Sequence, residues 1–204
     1  ESSNWSASTG LTNATRGQYV QDFKTMRSTS GTTSIKAYGF TSSGTAFNQL
    51  LTNDNRTLAA ASRQELAQQF NAGHVLENEN ICTASFFIKV DTGTPTGTIR
   101  SYIRQSDGTE IQESSTVLDA STVTGSFVEY TFNFPNTTLA ATNMITIAAT
   151  DVIGGYVTWQ TQTTEMVDGK LYDTNSTGSA YSQLVANEMK MTVEYACSGD
   201  SQGE

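Results

Sequence analysis

Apolar and polar residues alternate along several short segments in the last two thirds of the chain. In residues 81–90 (ICTASFFIKV) an apolar or small residue occupies every second position, and in residues 189–195 (MKMTVEY) Met, Met, Val and Tyr alternate with Lys, Thr and Glu. A period of two places alternate side chains on opposite faces of a pleated strand. Each segment is therefore predicted to form a β-strand with one buried face.

The same pattern recurs at short intervals, separated by residues typical of turns. We predict further strands at residues 65–70, 98–104, 127–134, 144–149 and 156–160. The segment 91–97 (DTGTPTG) contains a proline and two glycines and is predicted to be a turn. Seven or eight short strands with turns between them predict an all-β fold, an antiparallel two-sheet jelly-roll sandwich.

The first third of the chain has a weaker pattern. We predict three parts: an extended N-terminal arm with little regular structure at 1–62, the jelly-roll sandwich at 63–197 and a polar C-terminal tail at 198–204. Inside the arm, residues 35–40 are predicted to form a strand. The spacing of Phe47, Leu50 and Leu51 instead favours a helix.

The composition agrees with a folded β-protein. Thr and Ser contribute 33 and 22 of the 204 residues, and hydrophobic residues make up 36%. Thr, Val, Tyr and Phe suit pleated, half-buried surfaces, whereas helical bundles favour Ala, Leu, Glu and Lys. The hydrophobic fraction is low, but its regular pattern favours a packed core over disorder.

The charge and the hydrophobic runs exclude two classes of partner. The net charge is −9 and the eleven basic residues are scattered, so the chain as a whole repels phosphate backbones. No apolar run approaches the roughly 20 residues that a membrane-spanning helix needs. We expect neither nucleic-acid binding nor a membrane span.

Two cysteines, Cys82 and Cys197, lie at the start of a predicted strand and just after the last one. The first and last strands of a sandwich often lie side by side, so we predict a disulfide and an oxidising location. Two buried thiols in a reducing compartment are the alternative. Sequons that are candidate N-glycosylation sites occur at Asn4, Asn13, Asn55, Asn136 and Asn175.

Catalytic chemistry finds little support in the sequence. His74 is the one histidine, it is expected to be an exposed loop residue, and no nucleophile elbow accompanies it. Glycosidases need two carboxylates facing a cleft. The acidic residues near the strands are instead expected to be solvated: Glu65, Asp91, Glu129, Asp151 and Glu194. We predict a protein that is not an enzyme and has no catalytic residue.

Metal binding is considered for calcium rather than zinc, because one histidine and two distant cysteines are too few ligands for zinc. Oxygen-rich turns suit calcium, and aspartates near predicted turns are Asp91, Asp107, Asp151, Asp168 and Asp173. None has the spacing of an EF-hand loop. No cofactor is predicted; a structural calcium ion remains open, with its ligands unassigned.

Aromatic residues cluster late in the chain, around a segment rich in Gly, Ser and Thr. Sugar sites stack a flat aromatic face against a pyranose ring and flank it with amide and carboxylate groups. The candidate glycan-binding residues are Trp159, Tyr172, Asp173, Asn175 and Tyr181. The alternative is that Trp159 and Tyr156 fill the core of the sandwich.

Six short motifs occur in order along residues 66–195: LAQQF, TASFFIKV, GTPTGTI, LDASTV, FVEYTFNF and GSAYS. Together they resemble a family of carbohydrate-binding-module-like jelly rolls, found in prokaryotic extracellular proteins and in bacteriophage structural and tail proteins. The resemblance implies the jelly-roll fold. In that family the fold serves glycan binding, adhesion and virion architecture.

These observations lead to two expected functions. The first is a non-enzymatic structural subunit of an extracellular or virion surface assembly, a filament, surface layer, capsid or tail component. Such a subunit would form a homo-oligomer or polymer when the arm, residues 1–40, donates a strand to a neighbour. The alternative is a carbohydrate-binding or adhesion module that recognises glycans through the late aromatic loop. The expected location is extracellular, at a cell surface or at a virion surface.

Overall fold

The computed structural model describes residues 26–28, 31–33, 45–50, 52–163, 169–184 and 187–196. The chain divides into two compact units, one made of residues 1–43 and 197–204 and the other of residues 44–196. The described part of the first unit is an antiparallel hairpin of β1 (Met26–Ser28) and β2 (Gly31–Thr33).

The second unit is built from strands. Its described part contains β3 (Thr45–Gln49), β4 (Asp54–Leu58), β5 (Glu65–Phe70), β6 (Asn80–Thr96), β7 (Thr98–Arg104), β8 (Glu110–Glu113), β9 (Leu118–Asp119), β10 (Val128–Thr138), β11 (Met144–Ala148), β12 (Ile153–Gln162), β13 (Gly169–Thr174), β14 (Ser182–Leu184), β15 (Glu188–Met189) and β16 (Met191–Tyr195). A single 3₁₀ turn follows β9, and the described residues form no α-helix.

The strands form two seven-stranded antiparallel sheets. Sheet I has the order β15-β12-β6-β16-β3, with β10 also paired to β6 and β4 also paired to β12. Sheet II has the order β14-β13-β5-β11-β7-β8, with β9 also paired to β7. The long strands alternate between the sheets along the chain: β5, β7 and β11 lie in sheet II, and β6, β10 and β12 lie in sheet I. The predicted all-β, two-sheet sandwich is confirmed.

The core lies between the two sheets and follows the period-two pattern of the sequence. Sheet I contributes Phe86, Ile88, Phe132, Val157, Trp159, Met191 and Val193, and sheet II contributes Leu66, Ile99, Ile103, Ile145, Ile147 and Leu171. The Phe86 and Phe132 rings meet edge to face with centroids 5.8 Å apart. Each large apolar side chain buried in this way contributes roughly 1.5–3 kcal/mol.

Two strands have the predicted bounds, β5 at residues 65–70 and β7 at residues 98–104. The predicted turn at residues 91–97 differs, because β6 continues to Thr96. Gly93 and Gly97 have φ angles of 75° and 100°, and the pairing of β6 with β12 shifts register in this region. Glycine tolerates these angles, so the strand passes through irregular pairing instead of ending.

The sandwich begins before residue 63, the boundary that the sequence predicted. Strands β3 and β4 lie within the predicted arm and pair with β16 and β12 in sheet I. The helix predicted around Phe47 is wrong, because residues 45–49 pair with all five residues of β16. Pairing with a neighbouring strand outweighs a short stretch of helical spacing. The strand predicted at residues 35–40 lies outside the described residues.

Candidate functional site

A buried ion pair occupies the outer face of sheet II. Arg104 donates its Nε–H to Glu65 Oε1 over 2.9 Å, and the two side chains are 5% and 0% exposed. The Arg104 guanidinium also lies 4.2 Å from the centre of the Tyr102 ring, a cation–π contact. Glu65 was expected to be solvated, and that expectation is wrong because loops cover this face of the sheet.

The covering loops are residues 105–109 and 175–181. Gly178 donates its N–H to Glu65 Oε2 over 3.1 Å, and Arg104 Nη1 donates to the carbonyl of Gly108 over 3.3 Å. Burial, and then the charge of Glu65, raise the pKa of the Tyr181 hydroxyl. Burial also raises the pKa of Tyr102. Tyr181, a predicted glycan residue, is therefore half-buried against this ion pair.

A polar recess of about 270 Å³ lies at the end of β13. Arg63 and Asp173 form an ion pair along its wall. The predicted glycan residues Asp173 and Asn175 both line the recess, together with Thr174, Ala180 and Ser182. The structure thus brings two of the five predicted residues to one concave surface.

Trp159 and Tyr172 lie elsewhere. Trp159 is 0% exposed and belongs to the core cluster, so its ring has no face available to a sugar, and its assignment as a glycan-binding residue is wrong. Tyr172 donates its hydroxyl to Gln69 Oε1 over 3.3 Å on the outer face of sheet II. Because successive residues of a strand point to opposite faces, Tyr172 and Asp173 face opposite ways.

The aspartates considered as calcium ligands are dispersed. Within the described residues no group of three or more His, Cys, Asp or Glu side chains is placed to hold a metal ion. Asp107 accepts the N–H of Thr109, which lowers the pKa of its carboxyl group, and Asp151 accepts from the hydroxyl of Thr98. Asp119 caps the 3₁₀ turn, and hydrogen bonds from Ser121 lower its pKa. Asp168 lies outside the described residues.

Two predicted glycosylation sites are accessible. Asn55 on β4 and Asn175 after β13 are both exposed. Asn136 lies on β10, and its side chain is outside the described part, as are Asn4 and Asn13. Cys82 lies half-buried on β6, whereas Cys197 lies outside the described residues, so the disulfide stays a prediction.

A second group of buried polar side chains anchors strand β3. The Glu188 carboxylate accepts hydrogen bonds from Nε2 of Gln49 and of Gln162 and from the N–H of Gly169, the last over 2.9 Å. These donors come from β3, β12 and β13, so one carboxylate joins three strands of both sheets. Buried carboxylates are stabilised by several donors of this kind.

Aromatic contacts hold the middle of β3. The Phe47 ring lies edge-on to His74 with centroids 4.7 Å apart, and His74 stacks on Phe70 at 4.6 Å. His74, expected to be an exposed loop residue, is half-buried here. The contacts to His74 and to Glu188 make β3 an integral strand of the sandwich.

The backbone of β3 turns half of its polar groups outward. Lys190 donates its N–H to the carbonyl of Gln160 of β12. Backbone groups of every second residue in a strand point the same way, so those of Thr192 and Glu194 also point to the side of β16 on which β12 and β6 lie. The intervening residues of β16 therefore face β3, where Val193 pairs with Phe47. It follows that residues 45, 47 and 49 bond to β16. The N–H and C=O groups of residues 46 and 48 point away from the sheet.

This outer edge carries no protection within the described chain. Strand edges are usually blunted by charges, proline or covering segments. Such residues occur in the other described edge strands of four or more residues: Asp54 and Arg56 in β4, Glu110 and Glu113 in β8, and Glu129 and Pro135 in β10. The β10 edge is also covered, because Ser115 donates its N–H to the carbonyl of Asn133 over 2.8 Å. Strand β3 (TAFNQ) has neither charge nor proline.

Sequence reasoning missed this edge because the Phe47 spacing suggested a helix. The available signal was an uncharged stretch, residues 41–51, in an otherwise polar region.

Searches against protein-family models, curated proteins and solved structures found no match. Within the described residues, no helix has the length and apolar character to cross a membrane.

Proposed function

We propose that this chain is a non-enzymatic structural subunit that assembles with copies of itself into an extracellular or virion surface assembly. A filament, a surface layer, a capsid and a tail are all assemblies of this class. The observation that carries the proposal is the edge of β3, which the described residues leave uncovered and where Ala46 and Asn48 present backbone donors and acceptors outward. Such an edge pairs with an added strand through main-chain hydrogen bonds.

The buried polar groups support a structural role, because each ties separate elements together. Glu188 joins β3, β12 and β13, and the Arg104–Glu65 pair fixes two loops onto sheet II. Arg63 joins the segment before β5 to the end of β13. A sandwich crosslinked in this way presents its edge strand in a fixed position, which a repeating assembly requires.

An oxidising location is part of the proposal. Ala196, which precedes Cys197, donates its N–H over 2.9 Å to the carbonyl of Asn80, two residues before Cys82. Bonded cysteines have Cα atoms roughly 4.4–6.8 Å apart, a range that neighbouring strand ends satisfy. The exposed sequons at Asn55 and Asn175 suit the same location.

The role of the arm is tested by deleting residues 1–43. The proposal predicts a shortened chain with an unchanged β-type circular dichroism spectrum that sediments as a monomer, while the full chain sediments as larger species. Deletion of residues 198–204 is the matched control and leaves assembly unchanged. Full assembly of the chain that lacks residues 1–43 would rule out the donor arm.

Glycan binding is a second candidate, favoured by the recess at the end of β13. Asp173 and Asn175 place a carboxylate and an amide on one concave surface beside Arg63. A carboxylate and an amide are the kind of hydrogen-bonding groups that fix the orientation of a sugar in a binding site. The recess lacks an aromatic platform among its lining residues, which makes this candidate weaker than self-assembly.

The recess is tested with Asn175→Ala, compared with Asn55→Ala as a control that also removes one exposed sequon. In protein produced without glycosylation, a glycan site predicts saccharide binding by calorimetry that Asn175→Ala weakens and Asn55→Ala leaves unchanged. The absence of binding across a broad glycan array would exclude this candidate without affecting the assembly proposal.

A further inference from the structure

Charge is distributed unevenly along the chain. Residues 1–43 contain four basic residues (Arg16, Lys24, Arg27 and Lys36) and two acidic ones, a net charge of +2. Residues 44–204 contain seven basic and eighteen acidic residues, a net charge of −11. The segment that precedes the sandwich is therefore electrostatically complementary to the sandwich itself.

The surroundings of the β3 edge match a basic, partly apolar strand. Glu194 lies directly across from Ala46 in the pairing of β16 with β3, and its side chain is exposed. Glu77 lies on the opposite side of β3, in the loop whose His74 packs against Phe47, and its carboxylate accepts the N–H of Gly73. Two apolar side chains are exposed nearby in the chain, Leu50 at 52% and Val75 at 57%. An incoming strand would meet open backbone groups, carboxylates and apolar surface.

We infer that the β3 edge is the acceptor for a strand from the N-terminal segment, residues 1–43, of a second copy of this chain. The inference rests on the proposed function and names its contact. Backbone groups of Ala46 and Asn48 bond the added strand, and the exposed carboxylate of Glu194, together with the net charge of −11 on residues 44–204, favours a basic one. A single sheet then runs from one copy into the next.

The length of the segment suits this role. Forty-three residues span up to about 140 Å when extended, at roughly 3.3 Å per residue. A five-residue strand such as β3 needs only a small part of that length, and the rest can bridge between copies. In the sequence, the segment immediately precedes β3.

The acceptor edge is tested in the full chain with Asn48→Pro. Proline removes the outward N–H of residue 48 and adds a ring there, but it spares the bonds of β3 to β16, which residues 45, 47 and 49 make. Thr131→Pro is the control, since the backbone N–H of residue 131, like that of Asn133, points away from β6 at the edge of β10. This substitution also removes the hydrogen bond between the Thr131 and Ser85 hydroxyls. Sedimentation velocity reports assembly, and thermal unfolding confirms that both variants fold.

Asn48→Pro is expected to raise the dissociation constant of the assembly about tenfold or more, because it removes one or more hydrogen bonds and adds a steric block. Thr131→Pro is expected to leave the dissociation constant unchanged. Should Asn48→Pro fail to fold, Asn48→Lys provides the same test, because a lysine on the edge also opposes strand addition. Assembly of a folded Asn48 variant at wild-type strength overturns the acceptor edge and leaves the proposed function standing.

The donor is tested by adding a synthetic peptide of residues 1–43 to the assembled full chain. The inference predicts that the peptide caps free β3 edges, shortens the assemblies and loses this effect as salt is raised. A scrambled peptide of the same composition is the control. If Asn48→Pro blocks assembly but the peptide has no effect, another strand occupies the edge and the inference is wrong. A full chain that stays monomeric contradicts the proposed function as well.

Discussion

Arg104 donates to Glu65 over 2.9 Å inside a layer formed by sheet II and two loops, where neither side chain is more than 5% exposed. A buried ion pair is held by mutual attraction and by further hydrogen bonds, and removing one partner leaves an uncompensated charge. Glu65 accepts from Gly178, and Arg104 donates to Gly108. The pair therefore fixes both loops.

Replacing Glu65 by Gln is expected to lower the free energy of unfolding by about 3–5 kcal/mol, because the Arg104 charge would remain buried without its partner. Urea unfolding measures the change. The matched control is Glu113→Gln, which breaks a more exposed ion pair with Arg100, a residue on the same strand as Arg104. This substitution should lower the free energy of unfolding by less than about 1 kcal/mol. Equal effects of the two substitutions would show that the Glu65 site is solvated.

Gly97 has a φ angle of 100°, and a Cβ atom there would lie 2.1 Å from the carbonyl oxygen of Asp151. Gly97→Ala is therefore expected to destabilise the fold by about 1–3 kcal/mol or more. Gly125→Ala is the control, because a Cβ at residue 125 meets no atom within 4 Å. A melting temperature for Gly97→Ala equal to that of Gly125→Ala would contradict the described junction between β6 and β7.

Trp159 is fully buried, so its fluorescence should report the core and not a ligand. In a Trp5→Phe background, which leaves Trp159 as the one tryptophan, we expect blue-shifted emission that iodide does not quench in the native state. Denaturation should shift the emission to the red and restore quenching. Quenching of the native protein by iodide or by saccharides would place Trp159 at the surface.

The proposed disulfide between Cys82 and Cys197 predicts that the native protein has no thiol that reacts with an alkylating reagent unless a reductant is added. Removing a native disulfide typically costs about 2–5 kcal/mol, so Cys82→Ser should lower the unfolding free energy in that range. The double variant Cys82→Ser/Cys197→Ser should be no less stable than the single one. Two alkylated cysteines in unreduced protein would refute the bond.

The sequence predicted those strands in which one face is apolar and the other polar. The bounds of β5 and β7 agree because apolar residues recur on one face of each strand, Leu66 and Phe70 in β5 and Ile99 and Ile103 in β7. Strand β3 was not predicted, since its structure depends on pairing with β16, which is more than 140 residues away. Local spacing around Phe47 carries no information about that partner.

For the candidate sites, too, the sequence predicted which face of a strand a residue occupies but not what packs against that face. A period-two pattern assigns Glu65 to the outer face of its strand, and this is correct, but it does not reveal that two loops cover that face. Trp159 follows the pattern of its strand and lies in the core, in agreement with the alternative that the sequence left open. The edge of β3 that the described residues leave unprotected follows from its pairing with β16 on one side and from its lack of charge and proline, and no local pattern in the sequence reveals that pairing.

Negative-stain imaging of the purified full chain tests the central claim of self-assembly most directly. The account predicts filaments, sheets or closed oligomers of uniform width whose abundance rises with protein concentration. Uniform particles of monomer size, with no larger species at any concentration or ionic strength, would contradict it.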